Sequence, residues 1–155
     1  MQTLLSFIHL LSLVVWIGSI VFFSFVAAPG IFKTLEREKA GELVGVIFPK
    51  YYFIGYVCGA LALMTLLVGS GQVDLIKLVL LLLMLVCTLV AGLVIRPRAR
   101  RLKEKMKAEP ENHEALQKKF KSLHSFSVQF NASVLLMGLV LLWFTAKGLN
   151  LSLVP

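Results

Sequence analysis

Two histidines embedded in apolar sequence, His9 and His124, have the chemistry to hold a metal or a haem, because imidazole ligates both. Each belongs to a stripe at helical spacing. The first runs Gln2, Ser6, His9, Ser12, Trp16, Ser19, Phe23. The second runs Phe120, His124, Ser127, Asn131, then Gly138, Leu142 and Thr145. On a helix each set shares one face, and the remaining positions are Leu, Ile, Val and Phe. Polar side chains within a membrane are costly and are functional candidates by default. The candidate site residues are therefore Ser6, His9, Ser12, Trp16 and Ser19 on one helix and His124, Ser127 and Asn131 on another. Asn131, about two turns into its apolar segment, needs a hydrogen-bond partner worth ~0.6–2 kcal/mol.

The elements that must position these residues are membrane helices. The chain has 155 residues, 58% hydrophobic and 15% charged, where a soluble domain has about a quarter charged. Its mean hydropathy is +0.86. Four apolar stretches, residues 3–27, 49–69, 75–95 and 124–146, reach the ~20 residues a bilayer crossing requires. They consume most of the chain, so one membrane domain over 1–155 is expected. The start, Met1-Gln2-Thr3, has no charged side chain, and the apolar run after it is too long for a signal core, so the first segment is expected to be retained.

Fourteen of the sixteen Lys and Arg lie after the first or the third segment. That asymmetry places those connections in the cytoplasm of a bacterial inner membrane, with both termini and the turn over 69–74 outside. Residues 29–48 read as a short interfacial helix capped by Thr34, with Leu35, Leu43, Val44 and Ile47 on the bilayer surface. The third helix is expected to continue through 98–107, with a kink at Pro97, and Pro110 suits the first turn of a helix running into the fourth segment. The expected architecture is all-α: a polytopic, antiparallel four-transmembrane-helix bundle with a short interfacial helix and a cytoplasmic helical hairpin extension. The hairpin's Arg98, Arg100, Arg101, Lys118, Lys119 and Lys121 suit anionic lipid headgroups at ~1 kcal/mol each. Topology explains the net charge of +8, so no nucleic acid is implied.

A site shared by the two histidines fails on depth. His9 lies ~9 Å below one surface and His124 at the other boundary, about 20 Å apart across the core. A metal or haem would use His9 or His124 with some other ligand. Met64, Met84, Met137, Cys58 and Cys87 are soft donors without ligand spacing. The bland expectation for His9 is a hydrogen bond inside the bundle. Gly55, Gly59 and Ala62 form a small-residue packing face on the second helix, and Cys87, Thr88, Ala91 and Gly92 do so on the third. Tyr51, Tyr52 and Tyr56 read as an interfacial aromatic belt. All eight acidic residues fall outside the apolar segments, against a carboxylate-based pump. No nucleophile–base set, phosphate loop or zinc spacing occurs, so an ordinary enzyme is not expected. Asn131-Ala132-Ser133 and Asn150-Leu151-Ser152 match the glycosylation sequon, but neither is assigned.

His9, Trp16-Ile17-Gly18, Phe22-Phe23, Pro29 and Phe48-Pro49-Lys50-Tyr51-Tyr52 resemble the first half of the transmembrane protein 205-like family, and Leu123-His124-Ser125, Ser127 and Asn131 resemble its last-helix motif. That family is largely a domain of unknown function. It is similar in its first helix to copper-resistance protein D-type membrane proteins and to a four-helix haem-associated protoporphyrinogen oxidase family. The resemblance implies the four-helix fold and a site at His9 with Trp16 or at His124 with Asn131, and no reaction.

Three functions are then open. A small transport or permeation unit for a solute or ion, its path lined by the stripes of helices 1 and 4, is the leading expectation and calls for a homo-oligomer. A haem- or copper-binding redox protein centred on His9 is the second. A non-catalytic accessory subunit of a larger membrane complex is the third.

Overall fold

The computed structural model describes residues 1–69 and 73–148, all in helices or short connections. The tip of the turn at Ser70-Gly71 and the sequon at Asn150 lie outside the described residues. Four long helices result: α1 (Gln2–Thr34), α2 (Arg37–Gly69), α3 (Leu75–Ala108) and α4 (His113–Gly148). Each is long and apolar enough to cross a membrane. In the bundle α1 packs on α2, α2 on α3, α3 on α4, and α4 on α1.

Proline did not end helices where the sequence suggested. The first helix was expected to stop near Ala27, yet it continues to Thr34 through a π-helical turn at Phe23–Ala27. A proline ring collides with the carbonyl four residues back and donates no hydrogen bond. For Pro29 that carbonyl belongs to Phe25, inside the wide turn, which gives the ring room. The same device recurs at Val90–Ile95, which holds Leu93, four residues before Pro97. The third helix accordingly runs on to Ala108.

The short interfacial helix is not formed. Leu35 turns the chain with extended backbone (φ −109°, ψ 147°), and Arg37 then starts a single helix that continues through Pro49 to Gly69. The carbonyl that Pro49 leaves without a partner is that of Gly45, at an exposed position. Residues 37–48 do not lie flat because their apolar side is used elsewhere: Ala40 and Val44 are buried. Their acidic side meets the end of α3, where Lys107 Nζ lies 2.7 Å from Glu38 and 3.6 Å from Glu42. The Lys107 ammonium holds the Glu38 carboxyl below its ordinary range, and Glu38 in turn raises Lys107. These groups are exposed, so the pairs contribute little stability. They do show that the basic hairpin is partly covered by α2.

At the other end, Asp74 caps α3, accepting hydrogen bonds from the backbone N–H groups of Ile76 (3.0 Å) and Lys77 (3.3 Å). Between the two ends, small residues set the helix spacing. The indole of Trp16 lies on α2, where a Cβ added at Gly55 would stand 3.1 Å from its Nε1 and one at Gly59 would stand 3.0 Å from its Cη2. Gly138 of α4 makes the same kind of bed for Ile17, 2.8 Å from the position of a Cβ. The small-residue face of α2 is thus packing, and its main occupant is a tryptophan.

Gly92 is the tightest approach between α3 and α2. A Cβ there would stand 2.9 Å from Cγ of Tyr52, the fixed base of a buried ring, and would also overlap the Tyr56 hydroxyl. Gly92→Ala should destabilise by about 1–3 kcal/mol. Gly18→Ala, in open space, should be neutral or stabilising by up to about 1 kcal/mol. Thermal unfolding in detergent, followed by tryptophan fluorescence, separates the two; an unchanged midpoint for Gly92→Ala contradicts the close approach.

Candidate functional site

The polar stripe of α1 divides into three fates. His9 turns inward, with Nδ1 3.0 Å from the Ala62 carbonyl and 3.0 Å from Thr65 Oγ1, both on α2. A carbonyl only accepts, so in the bond to Ala62 Nδ1 carries the proton and Nε2 keeps the lone pair. Thr65 Oγ1 can donate to its own helix at Leu61 (2.9 Å) or Ala62 (3.0 Å). Ser12 and Ser19 are satisfied within α1: Ser12 donates to the Ile8 carbonyl and Ser19 to the Trp16 carbonyl, each at 2.7 Å. Ser6 is exposed and joins no site.

The stripe of α4 divides similarly. Asn131 finds the partner it needs: the Tyr51 hydroxyl donates to its Oδ1 at 2.9 Å. The hydroxyls of Tyr52 and Ser127 stand 3.3 Å apart and share a second hydrogen bond. Since α2 and α4 are not neighbours in the ring of helices, each phenol reaches across the bundle to make its bond. His124 is exposed, its ring stacked on Phe120 at 6.3 Å between centroids, and it takes no part in this cluster. Thr145, like the α1 serines, donates within its own helix, to Leu141 at 2.8 Å.

Two tyrosines are not where the sequence placed them. Tyr51 and Tyr52 are buried (8% and 2% exposed) and form no interfacial belt. Their rings pack with Phe23, Phe48 and Tyr56 at centroid distances of 5.2 to 6.5 Å. Belts require an apolar body against lipid and a hydroxyl in water. Here both hydroxyls already have hydrogen-bond partners inside the protein. A signal for this was present: extending the Gly55–Gly59–Ala62 face by one turn in each direction reaches Tyr51 and Tyr52 on one side and Thr65 on the other.

The two stripes therefore do not meet. His9 and Asn131 both bond to α2, three to four turns apart along it. Between them the interior is closed by Leu13, Ile17, Leu81, Met84, Val134 and Leu141, each at most 5% exposed. Among the described residues, every fully buried side-chain nitrogen or oxygen has a hydrogen-bond partner. No group of three His, Cys, Asp or Glu among them is arranged to hold a metal ion. Of the soft donors, Met64 points outward at 62% exposure, Met84 is packed against Gly138, and Cys58 and Cys87 are free thiols.

A family model for a domain of unknown function (DUF4149) matches residues 11–108. The chain belongs to the DUF4149 family. The matched segment of this DUF4149 protein holds Ser12, Trp16, the glycine bed of α2 and both buried tyrosines, whereas His9, Ser127 and Asn131 fall outside it. A stretch of 54 residues is 44% identical to an uncharacterized protein of Aquifex aeolicus (strain VF5); it covers 35% of this chain and 39% of that protein. No solved structure matches the chain.

The Tyr51–Asn131 bond should show as a coupling in a double-mutant cycle. Tyr51→Phe and Asn131→Leu are each expected to destabilise, and the double variant to recover ~0.6–2 kcal/mol relative to their sum. Equilibrium unfolding in mixed micelles gives the four values; strict additivity contradicts the bond.

Proposed function

We propose that this DUF4149 protein crosses a bacterial inner membrane four times as one antiparallel domain, basic ends in the cytoplasm, and serves as a non-catalytic subunit of a membrane assembly. Support for the membrane reading is the hydropathy of the four helices and the clustering of Lys and Arg at one end. What carries the subunit reading is the interior. The polar side chains that a transport path would need are hydrogen-bonded to α2 or to their own helices, so the interior acts as a framework and function falls to the outer surfaces.

The outer surface of α4 is the one on which docking is most to be expected. Within its apolar window 17% of residues are buried inside the chain, against 33–39% in the other three helices. Its uncovered side presents Ala132, Ser133, Leu136, Val140 and Trp143. Small residues beside large apolar ones allow a second membrane helix to approach closely. The occupant is a helix of a partner protein or of a second copy.

The transport reading, as framed on the sequence, needs the stripes of α1 and α4 to line one path, and the geometry turns both toward α2. A path between copies in an oligomer is the form of that reading that still fits. The haem or copper reading retains one supporting feature, the Nε2 lone pair of His9, oriented by the Nδ1 bond as in many ligating histidines. A second ligand at its level is not supplied by the described residues. The resemblance to the transmembrane protein 205-like family, carried by His9, Trp16, His124 and Asn131, is compatible with each of these and decides none.

Cysteine crosslinking in native membranes tests the subunit reading. With Cys58 and Cys87 replaced by Ala, Leu136→Cys on α4 should give a discrete crosslinked species, and Val86→Cys, exposed on α3, should not. No crosslink from α4, together with solute flux through the purified monomer in liposomes, contradicts it.

A further inference from the structure

We propose that the groove on the outer face of α4 lined by Lys118, Lys121, Ser122, Ser125, Phe126 and Gln129 binds the headgroup and glycerol region of an anionic phospholipid. This rests on the membrane-spanning reading but not on the subunit reading. The six residues follow helical spacing and lie on one face, over a rise of about 16 Å. Polarity falls in order along that rise: two ammonium groups, then two hydroxyls, then a phenyl ring and a carboxamide.

That order matches a phospholipid lying along the helix. Its phosphate is an acceptor without donors at neutral pH, and Lys118, Lys121 and Ser122 supply only donors or hydroxyls. Neither lysine has an ion-pair partner among the described residues, in contrast to Lys107 and Arg100, which pair with glutamates. No acidic side chain lines the groove. Deeper along the face, the ester carbonyls of the glycerol are acceptors for the Ser125 hydroxyl and the Gln129 amide. Phe126, 53% exposed, then offers an apolar surface to the first methylenes of an acyl chain.

Gln129 decides between a lipid and a free phosphate. It lies about 8 Å beyond His124 toward the apolar part of α4, too deep to touch a phosphate held by the lysines. An exposed carboxamide at that depth has no partner within the protein and is costly in hydrocarbon. Helical side chains lean toward the helix N-terminus, here the headgroup end, so the long Gln129 side chain reaches back toward the ester carbonyls of a lipid, which satisfy it.

Native mass spectrometry of the full-length protein in detergent, with titrated lipid, tests this. One phosphatidylglycerol should bind in preference to phosphatidylcholine. Lys118→Gln with Lys121→Gln should weaken that lipid roughly thirtyfold, taking ~1 kcal/mol for each lysine. Gln129→Leu should weaken both lipids, since both carry glycerol esters. Lys119→Gln with Arg101→Gln, which removes the same charge outside the groove, should have little effect. Equal loss in that control pair, equal binding of the two lipids, or displacement of phosphatidylglycerol by millimolar inorganic phosphate would each overturn the site. Retention of the variants in the membrane after alkaline carbonate extraction separates the readings. Release of the wild-type chain sinks the membrane reading and this site with it, whereas retention without lipid preference sinks the site alone.

Discussion

The interior of an apolar helix bundle has no water to satisfy its polar side chains, and in this protein α2 meets that constraint for two other helices. Near one end its Ala62 carbonyl and Thr65 hydroxyl receive His9 of α1. Three to four turns away its Tyr51 and Tyr52 reach across to Asn131 and Ser127 of α4. Leaving any of these groups unpaired would cost about 1–3 kcal/mol, and more than one such loss would be a large fraction of a typical fold's stability. The small residues between them follow from the same geometry. Gly55 and Gly59 bring α2 close enough to Trp16 for the His9 bond to form, and Gly92 brings α3 close enough to seat the Tyr52 ring.

Much of this was legible in the sequence, for physical reasons that also mark its limits. Hydropathy located four apolar helices because that signal sums over many residues. The stripe from His9 to Phe23 was legible because helical period is a strong pattern. Its end at Ser6 was not, because the stripe extends one turn beyond the protein that covers it. Counting residues along the helix separated the two histidines in depth; His124 was read as part of a site and proves to be exposed beside Phe120.

The errors share a cause: short-range signals whose meaning depends on what lies opposite. Pro29 and Pro49 each look like a helix boundary, and each is passed, the first after a π-helical turn, whereas continuation past Pro97 was expected. Whether a wide turn is tolerated depends on neighbouring helices, which the local sequence does not contain. The segment 37–48 looked amphipathic enough to lie on a membrane, but its acidic residues face Lys107 on another helix, 65 or more positions away. Tyr51 and Tyr52 had the composition of a belt, and only their burial and their hydrogen-bond partners on α4 show that they are core.

If α2 takes up the polar groups of the bundle, the interior is dry and no aqueous path crosses it. The most direct test is labelling of single cysteines by a membrane-impermeant thiol reagent, in a background where Cys58 and Cys87 are Ala. Ser12→Cys on α1 and Thr88→Cys on α3 replace two buried hydroxyls, 4% and 7% exposed, with side chains of similar size. The account predicts that neither is labelled in intact membranes and that both are labelled once the protein is unfolded. Rapid labelling of either in the folded protein would mean that water enters between the helices, and the interior would then have to be read as a path.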